Sequence, residues 1–265
     1  MSTGQFDLVI AYRIYPGLGK NAFMRDEWSD KYHFSEVCLK SMLRSLDGIK
    51  FKVYAILDGC DDRYEGLFRG LCKNLEIVRF NTPVGNKATF AAQIEVLLRQ
   101  DESATVYFAE DDYFYLEGAF PAMLDLVARD DVDFVTPYDH PDYYRRPELN
   151  NHKSEIIFQA GRHWRTAAST CLTFMTTKRV LEEAERPLRS YSRISYFALW
   201  LAITKLKKFD APWKTLRRMY KHNILQMLAG RAFKLWAPMP GIANHMAANH
   251  AVPGIDWDNL IRKYR

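Results

Sequence analysis

The chain has 265 residues, enough for one large domain or two small ones with a sizeable core. At 48% hydrophobic and 26% charged it has the composition of an ordinary globular protein, which excludes wholesale disorder, and its net charge of +5 favours polyanionic partners. Cys38, Cys60, Cys72 and Cys171 have neither zinc nor redox spacing, the N-terminus has no basic-flanked apolar leader, and no apolar run is long enough to cross a bilayer; a cytoplasmic protein with reduced thiols and no transmembrane segment is expected.

Phe6 to Ala11 reads as a short apolar strand, left through the loop Tyr12-Arg13-Ile14-Tyr15-Pro16-Gly17. Ser35 caps a helix reaching Leu46, with apolar residues at helical spacing. Phe51 to Leu57 is a second strand ending on Asp58-Gly59, Tyr64 to Cys72 a helix, and Leu75 to Phe80 a third strand. Gly85-Asn86-Lys87 opens a helix from Thr89 to Arg99, and the fourth strand, Val106 to Ala109, runs straight into Glu110-Asp111-Asp112 before aromatic residues resume. Strand and helix thus alternate through the first 130 residues, the pattern of a parallel sheet with helices on both faces. Ligands of such sheets bind outside the carboxyl ends of the strands, where Arg13, Asp58 and Asp112 all fall.

After a helix from Leu116 to Arg129, Val132 to Thr136 is a short strand leading into Pro137 to Tyr144, a loop dense in polar and aromatic groups. Glu155 to Gly161 and Ser169 to Thr176 alternate as strands, forming a hairpin or an antiparallel edge. Lys178 to Glu185 and Ile194 to Leu206 read as helices; the second is apolar nearly all round and is expected in the core, since an interfacial helix needs a polar face. From Lys205 to Lys234, basic residues at 205, 207, 208, 214, 217, 218, 221, 231 and 234 face the single acid Asp210, either gripping a polyanion or forming a solvated helical face. The tail carries Pro240-Gly241-Ile242-Ala243-Asn244-His245 and a second histidine, His250.

The acidic triplet is the feature that packing does not explain. Adjacent carboxylates at the end of a buried strand repel one another, so they require solvent, as in an ordinary acidic turn, or a cation with hydrogen-bond donors. A hard divalent ion held by one or two carboxylates and by substrate phosphates supplies both.

The order of these features resembles the nucleotide-sugar-dependent glycosyltransferases of the A-type fold, over almost the whole chain: Leu57-Asp58-Gly59, Gly85 to Lys87, the Glu110-Asp111-Asp112 variant of the acidic motif, and the late His245 after a Pro-Gly turn. The resemblance implies a single Rossmann-like α/β domain, its mostly parallel central sheet flanked by helices, with a helical basic C-terminal region. Residues 1–130 would form the donor half, and 131–265 the acceptor half with the C-terminal metal and diphosphate segment. Carried over residue by residue, it implies Asp112 as metal ligand, Glu110 and Asp111 toward ribose, sugar or metal-bound water, and Asp58 toward the base or ribose. Tyr12 and Arg13 would flank the nucleotide, Asn86, Lys87 and Gln93 would lie near the donor, and His245 would complete the metal shell or touch the diphosphate. The implied donor is a nucleoside diphosphate sugar, UDP-linked by first expectation. The implied ion is Mn2+ or Mg2+, manganese being preferred if imidazole is a ligand.

The match breaks at the general base. Arg189 to Ser195, where the carboxylate of an inverting member is expected, contains none; Asp139 and Asp142 are the substitutes, although Asp near proline is first of all a turn residue with a structural part. On the acceptor side Lys207, Lys208, Lys214, Arg217, Arg218 and Lys221, with Trp213, Tyr220, Phe233 and Trp236, suit a phosphate backbone and stacked bases. A hydroxymethylated pyrimidine in DNA, reached by base flipping, is therefore the first acceptor expected. A cell-surface or lipid-linked saccharide, with the basic block lying on anionic lipid, is the alternative, and a nucleotide-sugar or DNA-binding protein without turnover is the alternative from another class.

Overall fold

The computed structural model describes residues 6–146, 152–206 and 211–264. Its elements in chain order are β1 (Leu8–Ile14), α1 (Lys31–Ser45), β2 (Phe51–Asp58), α2 (Asp62–Leu71), β3 (Leu75–Phe80), α3 (Asn86–Leu98), β4 (Thr105–Glu110), β5 (Tyr113–Tyr115), α4 (Ala119–Val127), β6 (Phe134–Val135) and α5 (Asp142–Arg145). There follow β7 (Ile156–Gln159), β8 (Arg162–Thr166), β9 (Phe174–Thr177), α6 (Lys178–Arg189), α7 (Tyr196–Thr204), α8 (Trp213–Leu228), β10 (Leu235–Met239), β11 (Ala243–His245) and α9 (Trp257–Arg262).

The main sheet runs β3-β2-β1-β4-β9-β6-β10-β8-β7, and β5 pairs separately with β11. Strands β3, β2, β1 and β4 are parallel, β9 lies antiparallel between β4 and β6, β10 returns parallel to β6, and β8 and β7 close the edge antiparallel. This is the α/β class expected, with a mostly parallel half where strand and helix alternate. Successive residues of β1 enter opposite cores: Leu8, Ile10, Tyr12 and Ile14 pack with α1, α2, α4 and α9, whereas Val9 and Ala11 pack with α3, α6 and α7. That two-residue period leaves β1 apolar along its whole length, as a strand covered on both faces must be.

Several expectations need correction. Strand β7 forms its hairpin with β8, not with the segment after Ser169, because Ala160 and Gly161 both take the positive φ of a tight hairpin turn. The segment expected as a strand from Ser169 starts only at Phe174 and pairs with β4 and β6 instead. Helix α1 begins at Lys31, one turn earlier than expected, because the Asp30 carboxylate accepts from the His33 N–H and caps it there. The apolar helix α7 is core, with Ala198 to Thr204 all buried.

Candidate active site

The carboxyl ends of β1, β2 and β4 open on one crevice. A cavity of about 90 Å3, lined by Arg13, Tyr15, Asp58, Asn86, Thr89, Glu110, Asp111 and Asp112, adjoins a larger one of about 370 Å3 under the loop from Tyr15 to Ala22. The two share Tyr15, Asn86, Asp111 and Asp112. Register makes this convergence: Arg13 on β1 is directly paired with Glu110 on β4 and Ile56 on β2.

The three acids have three different tasks. Glu110 pairs with the Arg13 guanidinium through one oxygen, while the other accepts from the Leu172 N–H at 3.2 Å and the Thr173 hydroxyl at 2.9 Å, tying β4 to the start of β9. Arg13 in turn donates to the Asn86 carbonyl at 2.8 Å, so the guanidinium fixes the first turn of α3 against the sheet. Asp111 faces Lys31 Nζ at 3.0 Å and accepts from the Tyr15 N–H at 3.1 Å. Burial raises its carboxyl above the ordinary value despite that lysine; burial also opposes the Lys31 charge, but Asp111 and Asp112 outweigh it and hold the ammonium protonated. Asp112 meets His245 Nε2 at 3.1 Å through Oδ2.

The pairing of β11 with β5 brings Asp112 and His245 together. His245 lies opposite Tyr113, and the Met246 N–H donates to the Asp112 carbonyl at 2.7 Å, so backbone register sets the imidazole beside the carboxylate. The turn that feeds β11 passes close to the chain at Asp139, where a side chain on Gly241 would meet the Asp139 nitrogen and Val252 at 3.0 Å. Burial opposes the Asp112 charge, yet the ring charge and hydrogen bond of His245, with Lys31 and Arg13 behind, hold it down to about 2. Burial likewise opposes the His245 charge, and Asp112 raises it above its ordinary range.

These two residues fit a divalent ion. Asp112 Oδ1 and His245 Nδ1 are buried with no hydrogen-bond partner, although buried polar atoms normally have one. The atoms that face each other are the other pair, Asp112 Oδ2 and His245 Nε2, 3.1 Å apart, and donors bound at about 2.1 Å on adjacent positions of an octahedral ion lie about 3.0 Å apart, so this facing pair has the spacing to hold an ion. Among the described residues no trio of His, Cys, Asp and Glu side chains is close enough to hold an ion alone.

The remaining sequence-derived residues divide. Asn86 lines the crevice, and Asp58 sits at its edge with both carboxylate oxygens on backbone, accepting from Val84 at 2.6 Å and Gly85 at 2.9 Å. Lys87 points to the Ser192 carbonyl at 3.0 Å. Gln93 is fully buried behind the strands, bridging the Ala11 and Ala109 carbonyls at 2.7 and 3.0 Å, and Tyr12 is buried on the opposite face against Phe68. Asp139 is fully buried, held by Arg165 at 2.8 Å and the Tyr144 hydroxyl. Asp142 lines a separate cavity of about 290 Å3 with His140, Tyr143, Arg146, Tyr196 and Thr215. Lys214, Arg217, Arg218 and Lys221 are exposed on α8, and Lys207 and Lys208 lie outside the described residues. Of the aromatics expected to stack on bases, Phe233 and Trp236 are buried while Trp213 is exposed.

Lys31, His140 and His250 had not been singled out for the site. Lys31 was obscured by the late helix start, although Asp30 four residues before Phe34 is a usable cap signal. The rings of His140 and His250 lie 5.3 Å apart and those of His250 and His245 5.8 Å apart, so three histidines link the Asp112 end of the crevice to the cavity at Asp142. No sequence spacing announces that contact.

No protein-family model matches the chain, and no curated protein sequence matches it. Among solved structures it is similar to a mannosyltransferase from Pyrobaculum calidifontis in complex with GDP-Man and Mn2+, at 12% identity and a TM-score of 0.45 over 86% of this chain and 72% of that one. It is also similar to the galactosyltransferase LgtC in complex with donor and acceptor sugar analogues, at 10% identity and a TM-score of 0.39 over 85% of this chain and 70% of that one. A cytidylyltransferase from Leptospira borgpetersenii follows at 14% identity and a TM-score of 0.36, over 67% and 62%. These are partial likenesses of fold.

Proposed function

We propose that the protein is a divalent-metal-dependent glycosyltransferase that moves a sugar from a nucleoside diphosphate sugar, UDP-linked by first choice, to an acceptor hydroxyl. The single observation that carries this reading is the facing Asp112 Oδ2 and His245 Nε2 at 3.1 Å, with Asp112 lining a crevice whose other wall holds the charged Lys31. Two protein donors leave an ion short of ligands, and phosphate oxygens of a diphosphate complete such a shell. A metal on Asp112 and His245 would neutralise charge on the departing diphosphate. Lys31, held protonated by its acidic neighbours, supports the same charge from the protein side, and the N-terminus of α3, fixed by Arg13, adds its positive dipole end beside the crevice.

In the transfer, the acceptor oxygen bonds to the anomeric carbon, the bond from that carbon to the diphosphate breaks, and the hydroxyl proton passes to a base. Asp142 is the better candidate base, because it lines an open cavity and Asp139 is enclosed by Arg165 and Tyr144. A lipid-linked saccharide is favoured as acceptor by the apolar residues exposed beside the basic ones on α8, whereas the charge alone equally suits a DNA base.

The test is a panel of sugar nucleotides with Mn2+, assayed by mass against lipid-linked saccharides and hydroxymethylated DNA. Donor turnover that requires Mn2+ and is lost in Asp112→Asn is expected; turnover unaffected by that change removes the metal assignment, and no turnover with any donor favours a binding protein.

A further inference from the structure

Helix α8 carries two unlike sets of solvent-exposed residues, one on each side of a kink at Asn223. Lys214, Arg217, Arg218 and Lys221 occupy its first turns, and Ile224, Leu225 and Leu228 its last, all exposed. The backbone leaves helical geometry at Asn223 (φ −134°, ψ 33°): before it Trp213 and the four basic residues fall within an arc of about 140° at 100° per residue, opposite buried Met219, and after it Ile224, Leu225 and Leu228 are exposed while Met227 is buried. The exposure is large for apolar groups: Trp213 is 76% exposed, Leu225 52% and Leu228 69%. Packing among the described residues therefore does not account for them. The helix contains no acid, and none of its four basic residues has an ion-pair partner among the described residues. Arg193, from the turn before α7, extends the positive field; with Lys221 and Arg218 it adds to the burial that lowers the His222 pKa.

A solvated helix has no use for three exposed aliphatic side chains and a tryptophan, and a nucleic-acid groove has no use for Leu225 and Leu228. A surface that is anionic at its outer edge and apolar beneath matches both sets at once. We propose that α8 is an interfacial helix that docks the protein on an anionic lipid bilayer, with Trp213, Ile224, Leu225 and Leu228 entering the headgroup region and the basic residues on the phosphates. The helix start also lines the Asp142 cavity through Thr215, so docking brings that cavity to the lipid surface. This inference is independent of the transfer reading, because it predicts docking whether or not Asp112 is intact.

The remaining tryptophans, Trp28, Trp164, Trp200, Trp236 and Trp257, are buried, so Trp213 is a built-in reporter. The experiment is fluorescence and co-sedimentation of the full chain with vesicles of phosphatidylcholine, alone or with about a third phosphatidylglycerol. A blue shift and sedimentation with the anionic vesicles are expected, the shift being absent in Trp213→Phe. Each change among Lys214→Gln, Arg217→Gln, Arg218→Gln and Lys221→Gln should weaken binding by roughly fivefold, and Leu225→Ser with Leu228→Ser by about tenfold or more. Unaltered circular dichroism and thermal melting identify folded variants; Leu228→Gln serves if the double variant misfolds. Equal binding to both vesicles, binding to neither, or salt-sensitive binding to duplex DNA without vesicle binding overturns the proposal. So does self-association abolished by the leucine changes without vesicle binding. Asp112→Asn should dock as the parent chain does, which separates failure of docking from failure of the transfer reading.

Discussion

Asp112 engages His245 through one oxygen and leaves the other buried and unpartnered, so its carboxylate keeps bonding capacity that no described residue uses, as the proposed metal role requires. His245→Gln is expected to weaken Mn2+ binding by at least about tenfold, read by calorimetry in the presence of a nucleoside diphosphate; undiminished binding would remove the imidazole from the shell. Lys31 tests the other wall. Replacing it with methionine leaves Asp111 buried without its counter-charge, at a cost of about 3 kcal/mol in denaturant unfolding, and Lys31→Met with Asp111→Asn should recover most of that. A loss below about 1 kcal/mol in the single variant would mean that water already screens Asp111. In the sequence, Asp112 and His245 were legible as residue types in a suspicious order. Lys31 was not, because a lysine at a helix start is ordinary until its partner is known.

At the scale of elements, the start of α3 is where backbone geometry and site meet. Gly85 has φ of 82° and ψ of 171°, a conformation left almost wholly to glycine, and no atom lies near where a Cβ would sit. Gly85→Ala should therefore cost about 1–3 kcal/mol through backbone strain alone and raise the donor KM, since Gly85 and Asn86 connect Asp58 to Arg13. An unchanged KM alongside the stability loss would detach this turn from donor binding. The alternating elements of the first half were legible because apolar runs buried on both faces, and helices between them, need no distant partner to be recognised. β8 was not: Arg162, His163 and Arg165 lack an apolar alternation, and Arg165 finds its place only in neutralising buried Asp139. The three-residue β5 and β11 are too short for periodicity, and only their mutual pairing makes them strands.

At the scale of the molecule, the histidines of the C-terminal half tie stability to pH. Burial pushes His140 down to about 4, with His250 and His245 adding repulsion and Asp142 opposing them, and its Nδ1 accepts the Asp142 N–H, which requires the neutral ring. Its folded value lies below the unfolded one of about 6.5, so its contribution is present above that pH and lost as pH falls toward 4. His245 has the opposite sign: its raised value gives stability below about 6.5 that is lost as pH rises through the folded value. In metal-free protein, His140→Gln should flatten the decline of unfolding free energy between pH 6.5 and 4 by on the order of 2 kcal/mol. An unchanged slope would show that ring to be as accessible to protons folded as unfolded.

The sequence by itself determined the α/β class, the strand ends on which Arg13, Asp58 and Asp112 sit, and the core position of α7, because each follows from local periodicity and from where polar residues interrupt it. Only the tertiary structure decided which partners those residues meet. Residues 133 positions apart, Asp112 and His245, meet through a ladder of three residue pairs, and the exposure of Trp213 and Leu228 depends on what packs beside α8. Such facts belong to pairings between distant segments, and no local pattern encodes them.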